Sequence, residues 1–144
     1  KLMLMLSDYP IVHIQPVAWG DMDAFGHVNN VLYYRYMESA RIRYMDELNI
    51  FQHDVYTVVA SNQCKYIRPV FYPDQLKIGA RVEEMRNSAL RMSYLLWSEQ
   101  QQAIVALGEA VMVCVDKENM LKLPIPEIIR QKVTKIELMV NHQI

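Results

Sequence analysis

The chain has 144 residues, 52% of them hydrophobic and 22% charged, a balance that suits one folded domain with a real core and excludes a disordered tract. Its formal net charge of −1 gives no electrostatic case for a nucleic-acid or anionic-membrane partner, although a local anion site remains compatible with it. The opening KLMLML is too short to span a bilayer or to form a secretion-signal core. Cys64 and Cys114 lack C-x-x-C spacing and a histidine pattern for zinc, and read as buried thiols of a cytoplasmic protein. Ten methionines and nine tyrosines point to an adaptable apolar interior.

In chain order, residues 11–18 (IVHIQPVA) alternate as a strand, with Pro16 favouring an edge or a bulge. A long helix follows from about Asn30 to Leu48. Tyr33, Met37, Ala40, Tyr44 and Leu48 recur at three- and four-residue steps, and Asn49 is a plausible stop. Residues 55–60 and 63–67 are short β-like runs that can join into one strand. Residues 76–82 put Leu76, Ile78, Ala80 and Val82 on one face; residues 90–97 alternate too, with Asn87 and Ser88 as the turn between. The nearly all-apolar 103–115 reads as a central strand covered on both sides. A last amphipathic helix begins with Pro126 in its first turn. The order predicts an α+β fold over residues 1–144: one helix against one antiparallel sheet whose strands are joined by short turns. Open sheet edges invite pairing with a second copy.

The stretch GDMDAFGHVNN, residues 20–30, sets two carboxylates, a glycine, a histidine and two asparagines ahead of that helix. A helix needs only one cap, so the surplus asks for another explanation. Asp23 can cap a turn or activate water. Next to Phe25 it would be partly desolvated and more basic, a shift the helix N-terminus would oppose. Asp21 and Gly20 fit a turn. Gly26 suits a conformation forbidden to a side chain, or a close ligand approach. Outward N–H groups at the helix start suit a developing oxyanion, while Asn29 serves equally as a simple cap. His27 can orient the loop or take part in proton transfer. His13, His53 and His142 show no partner pattern. No G-x-S-x-G elbow or cysteine–histidine spacing is present, which argues against a serine or cysteine hydrolase. Tyr33, Met37 and Tyr44 have core spacing that could also line a tunnel. Arg68, Lys65, Arg86 and Arg91 are available to an anion, and Arg91 is the chosen candidate.

The pattern D-x-D-x-x-G-H-V-N-N-x-x-Y, formed by Asp21, Asp23, Gly26, His27, Val28, Asn29, Asn30 and Tyr33, resembles the hotdog-fold acyl-CoA thioesterases of the 4-hydroxybenzoyl-CoA thioesterase-like family. YMESAR (36–41) continues the likeness, and residues 66–82 resemble the family's second block, so it spans roughly residues 10–130. The resemblance implies a hotdog fold: five antiparallel strands wrapped around one long central helix. It implies a thioesterase with Asp23 as catalytic carboxylate and the Asn30 backbone N–H as oxyanion donor, and His27 is taken with them as a catalytic candidate. Gly26, Asn29, Tyr33 and Arg91 would contact substrate. Where some relatives carry histidine this chain has Asn30, so that side chain cannot titrate. The expected partners are an acyl-CoA or acyl-carrier-protein thioester and further copies of the chain, as a homodimer or homotetramer, with no cofactor and no metal. The competing readings are an acyl-carrier-protein thioesterase, a binding module that holds an acyl ligand without cleaving it, and a purely structural oligomer.

Overall fold

The computed structural model describes residues 4–144; the first three residues of the KLMLML run lie outside the described residues. Strand β1 (Ile11–Pro16) leads through a 3-10 turn at Trp19–Asp21 into helix α1 (Leu32–Glu47). Four strands follow: β2 (Val55–Tyr66), β3 (Gln75–Met85), β4 (Ala89–Ser98) and β5 (Ala103–Asp116), and helix α2 (Glu127–Leu138) comes last. The five strands form one antiparallel sheet in the order β1-β3-β4-β5-β2. This is the α+β, hotdog-type arrangement expected from the motif.

Helix α1 starts two residues later than its periodicity predicts. The Asn29 side chain accepts the Val31 N–H at 3.1 Å and the Asn29 carbonyl accepts the Leu32 N–H at 2.9 Å, which holds a turn there. At the other end Asn49 adopts φ 51°, the left-handed region where asparagine is tolerated, and stops the helix as expected. The two β-like runs merge into β2, with the register irregularity between Val59 and Ser61.

Two expectations need correction. β2 does not neighbour β3: it lies at the sheet edge beside β5, and residues 67–74 must cross the sheet to start β3 next to β1. β5 is flanked by β4 and β2 and is not covered on both sides, since Val105, Ala110, Met112 and Cys114 are buried while Leu107 is 37% exposed. Helix α1 shields only one face of the sheet.

On that face Leu76, Ile78, Ala80 and Val82 of β3 meet Leu90, Met92, Tyr94 and Leu96 of β4, all at most 1% exposed. They pack against Tyr33, Met37, Ala40 and Tyr44 of α1, and each large apolar side chain so buried contributes about 1.5–3 kcal/mol. Gly108 in β5 admits the closest approach, because a methyl group at that position would overlap the Met37 sulfur. Helix α2 closes one end of this core. Its Glu137, wholly buried, accepts the Tyr44 hydroxyl at 2.6 Å and the Val82 N–H at 3.0 Å.

Candidate active site

Residues 22–31 connect the 3-10 turn to α1, and short-range hydrogen bonds account for their shape. Met22 and Val28 form an antiparallel bridge. Inside it the Asp23 N–H donates to the His27 carbonyl at 2.8 Å, and the Gly26 N–H to the Asp23 carbonyl at 3.2 Å. Gly26 has φ 89° with open space where a side chain would stand, so its backbone takes a conformation that glycine adopts without strain. Asp23 Oδ1 accepts the Phe25 N–H at 2.8 Å and lies 4.0 Å from His27 Nδ1. Phe25 is 84% exposed, so the expected apolar cover over the carboxylate is missing: the tight turn sends the ring into solvent.

The neighbouring aspartate is committed to the fold. Asp21 Oδ2 accepts the Tyr36 hydroxyl at 2.6 Å and the Ala18 N–H at 3.0 Å, and its carbonyl takes the Asn29 N–H at 2.9 Å. Burial, reinforced by Asp21, pushes the Tyr36 hydroxyl far above the usual tyrosine range, so it remains a donor.

At the helix mouth, no acceptor among the described residues receives the Asn30 N–H, whereas the amides of Asn29, Val31 and Leu32 are all engaged. Asn30 lies at a recess of about 250 Å³, with His27 and Tyr33 on its own side and Tyr66, Ile67 and Arg68 opposite. The β2–β3 connection is fastened over this loop. The Val28 N–H donates to the Val70 carbonyl at 2.8 Å, Phe71 stands edge-on to His27 at 5.8 Å, and the Tyr66 hydroxyl donates to the Asn30 carbonyl at 2.7 Å.

The fold thus gathers Asp23, Gly26, His27, Asn29, Asn30 and Tyr33 around one loop and the first turn of α1. Tyr33 is 2% exposed, serving the core as well as the recess. Arg91 is not brought there. It lies on the sheet face away from α1, paired with Glu84 at 3.3 Å and Glu109 at 2.7 Å, and lines a separate recess of about 760 Å³ with Arg81 and Glu83. Alternation in β4 sends it opposite to Leu90 and Met92, and its two carboxylates already occupy the guanidinium. The arginine at the mouth is Arg68, which has no carboxylate partner among the described residues.

Sequence reasoning missed Tyr66 as a site residue, although it opens the second motif block. It also missed His142, whose Nδ1 lies 2.9 Å from Glu137 Oε1 and whose Nε2 lies 3.7 Å from Glu83. That cluster braces α2 and is not part of the recess. Burial pushes both thiols, Cys64 and Cys114, above the usual cysteine range, which suits inert side chains. Among the described residues there is no group of three or more His, Cys, Asp or Glu placed to hold a metal, and no helix long and apolar enough to cross a membrane.

Residues 17–133 match the family model of the thioesterase-like superfamily. The chain is 36% identical over 105 residues to the uncharacterized protein YsmA of Bacillus subtilis, covering 72% of this chain and 71% of YsmA. It is 25% identical over 119 residues to the long-chain acyl-CoA thioesterase FadM of Escherichia coli, covering 80% of this chain and 90% of FadM. A thioesterase from Thermus thermophilus, solved with coenzyme A and zinc, matches with a TM-score of 0.80 at 32% identity over 90% of this chain and 96% of that one. A DHNA-CoA thioesterase from Staphylococcus aureus has the same TM-score of 0.80 at 16% identity, over 91% of this chain and 93% of that one, a likeness of fold alone. With the model spanning the loop, the long helix and all the strands after it, the chain belongs to the thioesterase-like superfamily and carries its hotdog fold.

Proposed function

We propose that this thioesterase hydrolyses acyl-CoA to the free acid and CoA, using Asp23 and the Asn30 N–H and no metal. The observation that carries the reading is an unengaged backbone N–H, that of Asn30, at the mouth of α1 on the same loop as the Asp23 carboxylate. The name of FadM, a long-chain acyl-CoA thioesterase, supports an acyl-CoA substrate.

The thioester carbonyl would lie in the recess with its oxygen toward the Asn30 N–H. Asp23, as general base, takes a proton from water while the water oxygen bonds to the carbonyl carbon. The negative charge that develops on the carbonyl oxygen is met by the N–H and by the positive end of α1. Collapse of the tetrahedral species breaks the carbon–sulfur bond, and the departing thiolate takes up a proton to leave as CoA. The same carboxylate could instead attack the carbonyl itself, giving a mixed anhydride that water then opens; both routes need it ionised. His27, at 4.0 Å from Asp23, is assigned to orienting that turn. Gly26 and Asn29 shape the loop around the thioester, Tyr33 forms the recess wall, and Arg68 takes the place first given to Arg91 as the cation for a carrier phosphate.

The same reading takes the protein to be cytoplasmic, supported by its two unpaired thiols, and to assemble as a homodimer or homotetramer. Support for assembly comes from β2, an edge strand of 12 residues exposing Tyr56, Val58, Val59 and Tyr66. The test of function is free-thiol release from a panel of acyl-CoA and acyl-carrier-protein thioesters, by wild type and Asp23→Asn, before and after exhaustive chelation. The reading fails if the Asp23→Asn protein turns over at the wild-type rate, and its metal-free part fails if chelation abolishes activity.

A further inference from the structure

We propose that the aromatic pair Tyr33–Tyr66 closes the inner end of the acyl site, so that the acyl-CoA esters this protein cleaves carry short chains, of about six carbons or fewer. This rests on the reading of the recess at Asn30 as the place of the thioester carbonyl.

The recess is small. Its volume of about 250 Å³ holds about eight groups the size of a water, at ~30 Å³ each. The thioester carbon, oxygen and sulfur take three of those places, and a sixteen-carbon chain would need about twice the whole volume. With the carbonyl oxygen toward the Asn30 N–H and the carrier leaving past Arg68, the acyl chain runs inward, between α1 and β2.

That way is barred. Tyr66 pairs with Ala106 in the β2–β5 ladder, and Ala106 is wholly buried in the core, so Tyr66 projects on the face of the sheet that α1 covers. Its hydroxyl donates to the Asn30 carbonyl at 2.7 Å. The side chain therefore spans the gap from the edge strand to the helix mouth and is held at both ends. Its ring stands edge-on to Tyr33 at 4.8 Å and 81°, an arrangement aromatic pairs favour. Tyr33 is 2% exposed and part of the close-packed core, so it has no room to withdraw. One turn further along α1, Met37 is wholly buried, with its sulfur in the space that the missing side chain of Gly108 leaves. Cys64 faces Gly108 across the ladder. The stripe of Tyr33, Met37 and Tyr44, each at most 2% exposed, is thus packing and not the lining of a channel.

The experiment is thiol release by the full chain from straight-chain acyl-CoA esters of two to sixteen carbons, with wild type, Tyr66→Ala and Tyr66→Phe. The quantity read is kcat/KM for dodecanoyl-CoA divided by kcat/KM for butanoyl-CoA, in which any change common to both substrates cancels. A single methylene changes the fit to an apolar pocket by roughly 10- to 200-fold, so the wild-type ratio should lie below about 0.1. Tyr66→Ala removes the bar, and because Tyr66 is 42% exposed the change empties no core. Its ratio should rise at least about ten-fold. Tyr66→Phe keeps the ring against Tyr33 and loses only the bond to Asn30, so its ratio should stay at the wild-type value whatever its rate. A wild type that prefers dodecanoyl-CoA overturns the proposal and leaves acyl-CoA hydrolysis standing, as does an unchanged ratio in a folded Tyr66→Ala protein. If Tyr66→Ala does not fold, the wild-type profile still decides. Release of thiol from none of the esters removes the functional reading itself, and the proposal with it.

Discussion

Asp21 and Asp23 are two residues apart and should separate cleanly into fold and chemistry. Replacing Asp21 by alanine strips the acceptor from the Tyr36 hydroxyl, a side chain only 3% exposed. An unsatisfied buried donor costs about 1–3 kcal/mol, and the lost bond to the Ala18 N–H, which water can replace, adds about 0.5–1.5 kcal/mol. The total of about 2–4 kcal/mol should lower Tm by roughly 4–16 °C in a domain of this size, with kcat within about three-fold of wild type. Asp23→Asn should do the reverse. Its Oδ1 can still accept the Phe25 N–H, so Tm should move by less than about 3 °C. Loss of the base should cut kcat by about 10²–10⁴-fold. Thermal melts and thiol release on the two variants side by side give the answer. Equal losses of activity in both, or an Asp21→Ala protein as stable as wild type, would refute the division of labour.

If Asn30 acts through its backbone, Asn30→Ala should keep most of the activity, whereas Asn30→Pro, which removes the donor, should lose it; an inactive but folded Asn30→Ala would sink the backbone assignment. Burial by itself would raise the Glu83 carboxyl, but the Arg81 fork and the Ser93 hydroxyl outweigh it and hold it below the usual carboxylate range. A carboxyl lowered in the folded state adds stability above its unfolded value of about 4.3, and that stability is lost as pH falls through the lower folded value. Glu83→Gln should therefore be about 1–3 kcal/mol less stable at pH 7, with the two melting curves converging as pH falls below the ordinary carboxylate range; a constant gap between them would contradict the assignment. Sedimentation at micromolar concentration should show a dimer or larger, and Val59→Lys on the β2 edge should shift it toward monomer; a monomeric wild type would remove the case for edge pairing.

Local chemistry was readable in the sequence, and long-range choices were not. The α1 stripe and the alternation of β3 and β4 could be read because each residue's face follows from its period. The helix-mouth loop could be read because Gly26 and the flanking asparagines perform local backbone tasks. Strand order is a different matter: pairing β2 with β5 instead of β3 depends on which edge can be buried, and no window of residues contains that information. The surroundings of Arg91 were out of reach for the same reason. Alternation gives its face, but not the carboxylates Glu84 and Glu109 that neutralise it from adjacent strands. Tyr66 reads as an ordinary strand aromatic until the fold brings it to Asn30.

The buried Glu137 has a consequence for the chain while it is being made. Tyr44 leaves the ribosome 93 residues ahead of its partner, an interval of roughly 5–20 seconds at ordinary synthesis speeds. Until Glu137 arrives, the Tyr44 hydroxyl and the Val82 N–H have no internal acceptor, and the core end that α2 covers stays open to water. A nascent chain broken off before residue 127 would never complete that end, and proteases would meet it in its open form.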